Sequence, residues 1–388
     1  MDKGILNMYG FDMEGNSLYF INQLINAIFH MDIITGKVEC MKVLEKYQLF
    51  DAFLYRDLYI DGDKIWFVPY AADDILIYHL KSDTCEYINI PKLEGHGRKS
   101  VKFCGIYDYG QWFILVPAEY PAILKINKKT YEMIITKWEK ELHEKYPDFT
   151  KNNQYVGISS WDYEVFNDTL YLFASSISIQ YHMESDVLYF CEVCHEKKLY
   201  SGVARYGDKF AVADRVDSEL EIWDEAENKI LRTYGLGYKG CNAEDDGGPL
   251  WVYKISSGIV VAQGKDNFLS FFNNVGEVQK IGLGIEKKGI DGYFVNQIKQ
   301  KNSDMIIPLE GQNAVLIINT KDWSIKKIDM KTFELERLKE KVVNEDYVVE
   351  NSLFYKLNNL FDGLKKADRI ENKTMWADNI GSKIYQSL

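Results

Sequence analysis

The chain has 388 residues with 58 acidic and 46 basic side chains, a net charge of −12. That balance excludes the basic footprint with which nucleic acid and anionic membrane surfaces are bound. Apolar residues make up 46%, with only 27 Gly and 7 Pro, so the chain is globular rather than linker-rich.

In chain order, the opening "MDKGILNMYGFDMEGN" carries no long apolar core, and no secretory signal is expected. No run of 18 apolar residues follows anywhere, so no membrane span is expected either. Six Cys in such a chain read as reduced thiols, and the expected setting is cytoplasmic.

Seven segments then repeat one pattern. Each has an apolar-aromatic run, a short polar loop, a second apolar strand, a turn and a further strand, as in "KIWFVPYAADDILIYHLKSDTCEYINI". Anchored on Leu18, Ile65, Trp112, Leu170, Phe210, Ile259 and Met305, the spacings are 47, 47, 58, 40, 49 and 46 residues. One more apolar stretch precedes each anchor, including "YRDLYID", "VGISSWD" and "FVNQIKQ". Four β-branched and aromatic strands per unit at this period predict an all-β fold, a seven-bladed β-propeller of four-stranded antiparallel blades over 4–330. The long spacing holds "KWEKELHEKYPDFTKNNQ", where Glu/Lys pairs predict a solvated helix from Lys137 to Tyr146, ended by Pro147. From 331 to 388 the repeat stops. Helical spacing at Leu353, Leu357, Leu360 and Leu364 predicts a mainly helical extension, packed on the ring or free for a partner.

The turn "MDIITGKVE", echoed in "INKKTYEM" and "INTKDWSIKKID", resembles the outer hairpin of many bacterial propellers, and Trp223-Asp224 resembles the end of a WD-repeat strand. The chain thus resembles WD-repeat and kelch-like seven-bladed propellers, of no particular subfamily. It is also similar to uncharacterised bacterial members in its "WFVP" and "ILVP" strand ends.

Several motifs look chemical until the repeat register is applied. Cys191-Glu192-Val193-Cys194-His195 spells the C-x-x-C-H of a c-type haem site. In register it is an outermost strand, where residues three apart point to opposite faces. The glycines Gly235, Gly237 and Gly240, and again Gly282, Gly284 and Gly289, precede strands, whereas a dinucleotide loop must open a helix. His30, His79 and His182 fall on different blades, and Glu244, Asp245 and Asp246 lack the alternating spacing of a calcium loop. His96 lies in a Gly-flanked loop. No metal and no cofactor are expected.

The resemblance implies ligand sites at the central channel or on the face where the loops between second and third strands gather. By register, blades 1 and 2 bring Asn22, Tyr70, Asp73 and Asp74 to that face, and blade 3 brings Glu119 and Tyr120. Blade 5 adds Asp214 and Arg215, blade 6 Gln263 and Lys265, and blade 7 Glu310. Two functions follow. One is a non-enzymatic platform for a protein or peptide partner. The other is a small-molecule lyase or hydrolase with Asp73, Glu119, Asp214 and Arg215 as acid–base candidates, its ligand at the mouth of the channel.

Overall fold

Alternating runs of β-branched and aromatic residues form 28 strands among the described residues of the computed structural model. It describes residues 8–22, 26–47, 53–93, 101–147, 158, 160, 162–193, 198–237, 250–285, 295, 297–309 and 312–331. Blade 1 is β1 (Met8–Glu14), β2 (Ser17–Asn22), β3 (Ala27–Asp32) and β4 (Val38–Val43). Blade 2 is β5 (Tyr55–Asp61), β6 (Lys64–Pro69), β7 (Asp74–His79) and β8 (Thr84–Asn89). Blade 3 is β9 (Phe103–Tyr109), β10 (Trp112–Pro117), β11 (Ile123–Asn127) and β12 (Met133–Thr136), followed by helix α1 (Trp138–Lys145). Blade 4 is β13 (Glu164–Phe166), β14 (Thr169–Ala174), β15 (Ile177–His182) and β16 (Val187–Glu192). Blade 5 is β17 (Tyr200–Tyr206), β18 (Lys209–Asp214), β19 (Glu219–Asp224) and β20 (Lys229–Gly235). Blade 6 is β21 (Leu250–Ile255), β22 (Gly258–Gln263), β23 (Phe268–Asn273) and β24 (Val278–Gly282). Blade 7 is β25 (Lys299–Lys301), β26 (Asp304–Leu309), β27 (Ala314–Asn319) and β28 (Ile325–Asp329).

Each blade is a four-stranded antiparallel meander of consecutive strands. The first strands of neighbouring blades touch, β1 against β5, β5 against β9 and β17 against β21, so they line the axis. Apolar side chains gather at the seven seams between blades. Trp66, Ile75 and Ile77 of blade 2 meet Phe113, Leu115 and Leu124 of blade 3, for example. The ring closes the same way, with Phe20 and Phe29 of blade 1 against Ile306 and Val315 of blade 7. Burying both faces of every sheet at about 1.5–3 kcal/mol per large side chain is what makes seven blades stable when one is not.

The outer hairpins follow their sequence signals. Asp32 Oδ1 accepts the Ile34 and Thr35 N–H groups at 2.9 and 2.7 Å, and Gly36 supplies the positive φ of 73°. Asn127 repeats the arrangement on Lys129 and Thr130, and Asp224 does so on Ala226 and Glu227. Trp223 is fully buried and donates from Nε1 to Asn228 at 3.1 Å.

Three expectations need correction. The first strand of blade 4 is Glu164–Phe166, not "VGISSWD", and that of blade 7 is only Lys299–Lys301 within and beyond "FVNQIKQ". Both are shorter than expected because pairing is confined to three residues against β14 and β26. Helix α1 ends where the sequence placed it, but it is not simply solvated. Trp138 and Leu142, one turn apart, are each 1% exposed in the seam between blades 3 and 4. The C-terminal extension lies outside the described residues beyond Lys331, as do His96, Cys194, His195, Gly240, Glu244, Asp245, Asp246, Gly289 and Glu310.

Candidate functional site

The seam between blades 2 and 3 opens into a pocket of about 280 Å³ on the face carrying the loops between second and third strands. Three residues marked in the sequence, Asp73, Glu119 and Tyr120, line it together. The backbone makes the pocket rigid. Lys102 N–H donates to Tyr70 O at 2.8 Å, while Lys102 O accepts the Ala118 N–H at 2.8 Å, so one short segment ties two blades. Its walls are Ile90, Pro91, Leu93, Val101 and Pro121. Tyr120 stands at the back, its hydroxyl donating to Pro91 O at 2.5 Å and its ring 4.7 Å from Phe103. Burial pushes the Tyr120 phenol up to about 12, which keeps it a neutral donor. Behind it, Trp138 of α1 donates from Nε1 to Tyr120 O at 2.8 Å.

Charged side chains complete the lining. Lys102 Nζ lies 3.2 Å from Asp73 Oδ1 and donates to Ala71 O at 2.9 Å. Its side chain is 12% exposed against 71% for Asp73, so the pair presents the carboxylate outward. The result is a recess with apolar walls and a few charged groups, the usual chemistry of a side-chain-sized binding pocket.

The other marked residues lie elsewhere. Asp214 is fully buried in blade 5, where Oδ1 accepts the Leu199 N–H at 3.0 Å and Oδ2 faces Lys198 Nζ at 3.2 Å. The same ammonium touches Asp217, Glu219 and Glu221 at 2.8, 3.1 and 3.3 Å. Asp214, Asp217 and Glu219 could together hold a metal ion, but Lys198 already supplies the positive charge among them. The four carboxylates in turn raise the Lys198 pKa, over the opposing effect of its burial. Arg215 follows in the adjacent loop, so the four acid–base candidates fall at two separate places rather than one.

Of the expected binding face, Asn22, Asp74, Tyr120 and Gln263 are buried. The loops are tight enough to draw strand-end residues into the seams. Asp74 accepts from Lys46 at 2.6 Å and from the Tyr47 and Tyr55 hydroxyls at 2.5 and 2.7 Å. Tyr70 and Lys265 are half-buried, and Tyr70 packs edge-on to Tyr9 at 5.6 Å. Cys191 is half-buried in β16 with Sγ 3.3 Å from Asn228 Oδ1. His30, His79 and His182 sit on separate blades with local neighbours. His79 Nε2 lies 3.3 Å from Glu86, and His182 Nδ1 lies 3.0 Å from Ser185.

The sequence reading missed the groups on the first strands, which converge at the axis. Lys299 Nζ lies 2.7 Å from Asp57 Oδ1, and Lys301 Nζ lies 2.8 Å from Asp12 Oδ1. Burial pushes the Asp162 carboxyl up to about 8, and Glu164 and Asp57 push the same way against the Tyr163 and Val252 N–H groups. The available signal was the acidic residue recurring near the inner strands, at Asp12, Asp57 and Asp162.

Seven consecutive four-stranded meanders around one axis define a seven-bladed β-propeller. Among solved structures the chain is similar to a virginiamycin B lyase from Staphylococcus aureus, at 11% identity and a TM-score of 0.58, covering 80% of this chain and 92% of that one. It is also similar to the WD40 β-propeller domain of Doa1, at 12% identity and a TM-score of 0.53, covering 82% and 94%. A chain of the mitotic checkpoint complex aligns at 12% identity and a TM-score of 0.52, covering 84% and 89%. No protein-family model and no curated protein matches the sequence. At these identities the likeness is one of fold, and it indicates no subfamily. No helix among the described residues is long and apolar enough to cross a membrane.

Proposed function

We propose that this propeller is a non-enzymatic binding platform that takes a protein or peptide partner on the face bearing the blade 2–3 pocket. The observation that carries the reading is the pocket itself, a recess of about 280 Å³ lined by apolar side chains together with Asp73, Lys102 and Glu119. Such a recess suits one apolar anchor side chain, the arrangement that concentrates binding energy in protein interfaces. The net charge of −12 favours a partner with basic residues beside the anchor. In this reading residues 4–330 form the ring, and 331–388 form an extension beside it that serves the same partner. The lyase or hydrolase alternative loses half of its acid–base set, because Asp214 is held by Lys198 in blade 5, away from the pocket that Asp73 and Glu119 line, and the Asp73 carboxylate is paired with Lys102.

A displayed peptide library selected against the full chain tests this. Enriched peptides should share an apolar anchor flanked by Lys or Arg. Their binding should be lost in Leu93→Asp and Val101→Asp and kept in Asp217→Asn. Absence of enrichment, or binding indifferent to both pocket variants, would sink the reading.

A further inference from the structure

At about 280 Å³ the blade 2–3 pocket has room for about nine waters at about 30 Å³ each. The isobutyl group of a leucine anchor would leave most of that space wet, with the walls of Ile90, Leu93 and Val101 still facing water. Only the largest natural side chain, the fused rings of tryptophan, comes near to filling it.

Three features of the lining favour an aromatic occupant over an aliphatic one. The first is the Tyr120 ring, 7% exposed and held at both ends. Its hydroxyl donates to Pro91 O at 2.5 Å, its carbonyl accepts the Trp138 Nε1–H at 2.8 Å, and Phe103 backs it at 4.7 Å between ring centroids. A ring so fixed offers a guest ring an edge or a face without being reordered.

The second is Lys102, whose side chain is 12% exposed and whose ammonium is anchored 2.9 Å from Ala71 O and 3.2 Å from Asp73 Oδ1. A sheltered ammonium is attracted to an aromatic face, to indole most of all, and not to an aliphatic group. The third is Asp73. Its Oδ1 faces Lys102, whereas its Oδ2 meets no donor among the described residues. An open acceptor in the lining suits the single N–H of an indole, which needs a partner once buried.

We propose that the pocket takes an indole ring, the side chain of a tryptophan on the partner chain, packed against Tyr120 with its N–H donating to Asp73 Oδ2. Pro91 and Pro121, which have no side-chain rotamers to order, complete the apolar wall. The source of the ring rests on the platform reading, and the fit of the ring does not.

Calorimetry of the full chain with N-acetyl-tryptophan amide and N-acetyl-leucine amide tests the assignment. The indole probe is expected to bind saturably, at least about tenfold more tightly than the leucine probe. N-acetyl-1-methyltryptophan amide lacks the N–H. It should bind about threefold or more weakly than the indole probe to the unsubstituted chain, and equally well to Asp73→Ala, the signature of a bond between that N–H and Asp73. Val101→Trp places a ring in the recess from its own wall and should remove binding of every probe. If that variant does not fold, the three probes on the unsubstituted chain and on Asp73→Ala decide the matter. Leucine binding as tight as tryptophan, or no saturable indole binding, overturns the indole assignment. Equal binding of the methylated and unmethylated probes to the unsubstituted chain overturns the bond to Asp73. Displayed peptides enriched on an aliphatic anchor that still need Leu93 and Val101 would sink the indole assignment and leave the platform standing. Indole binding without any enriched peptide would uphold the ring site and sink the platform.

Discussion

Lys198 has an 8% exposed side chain within 3.3 Å of four carboxylates, contributed by Asp214, Asp217, Glu219 and Glu221. Removing the cation leaves Asp214 and Glu221, both buried, with uncompensated charge. Breaking a buried pair in this way costs about 3–5 kcal/mol. Lys198→Met should therefore lower the urea midpoint with the slope unchanged, whereas Asp217→Asn at the exposed edge should cost under about 1 kcal/mol. Asp162 gives a pH signature at lower pH. Its folded pKa of about 8 lies above the ordinary carboxylate range, so the fold binds its proton more tightly than the unfolded chain does. The associated stability is full below about pH 4, falls as pH rises and is gone above about 8. Asp162→Asn should flatten this dependence. Thermal unfolding at pH 9 should show the variant above the unsubstituted chain, and equal pH profiles would refute the assignment. Neither role was legible from composition. Asp214 looked like a wet loop carboxylate because the lysine that buries it lies 16 residues earlier in a different loop. Asp162 was assigned to a strand that ends up two residues further along.

At the scale of elements, the hairpins were the most readable feature, because a short polar side chain and a residue able to take positive φ act within four residues of each other. Asp32, Asn127 and Asp224 cap their turns as the repeated sequence implied. Helix α1 was read in outline, and its tertiary face was not, although Trp138 and Leu142 stand at the spacing of one helical stripe. That stripe fills the seam of blades 3 and 4 against Ile114, Leu172 and Tyr181. Lys145 also donates to Phe190 O at 2.8 Å, so the helix covers part of the outer edge of β16. Trp138→Ala removes the largest side chain of this contact and its hydrogen bond to Tyr120. A loss of about 3–5 kcal/mol is expected. Hydrogen exchange should quicken through α1 and at Tyr120 while blades 6 and 7 stay protected. Uniform exchange across the ring would show that α1 is not a separable buttress.

For the whole molecule, the question is how seven first strands fit around so narrow an axis. The third residue of the first strand is Gly10, Gly105 and Gly202 in blades 1, 3 and 5. Each faces a larger group on the following blade. A Cβ at Gly10 would lie 2.4 Å from Arg56 O, at Gly105 2.9 Å from the Tyr163 ring, and at Gly202 2.7 Å from Leu250 O. Small and large thus alternate around the ring, but an odd number of blades cannot alternate all the way. The mismatch falls at blade 7, whose Lys299 reaches past blade 1 to Asp57 of blade 2 while Lys301 takes Asp12. The blade count was legible from the period alone, whereas this alternation was hidden because the three glycines are scattered among 27. Gly10→Ala tests it. Backbone cannot yield as a flexible side chain does, so the new methyl must part the first strands of blades 1 and 2. An overpacking cost of about 1–3 kcal/mol is expected. Gly235→Ala on the outer strand of blade 5, with nothing within 4 Å of the added carbon, should be neutral or slightly stabilising. Equal thermal midpoints for the two variants would mean that the inner ring is slack and that closure does not depend on these glycines.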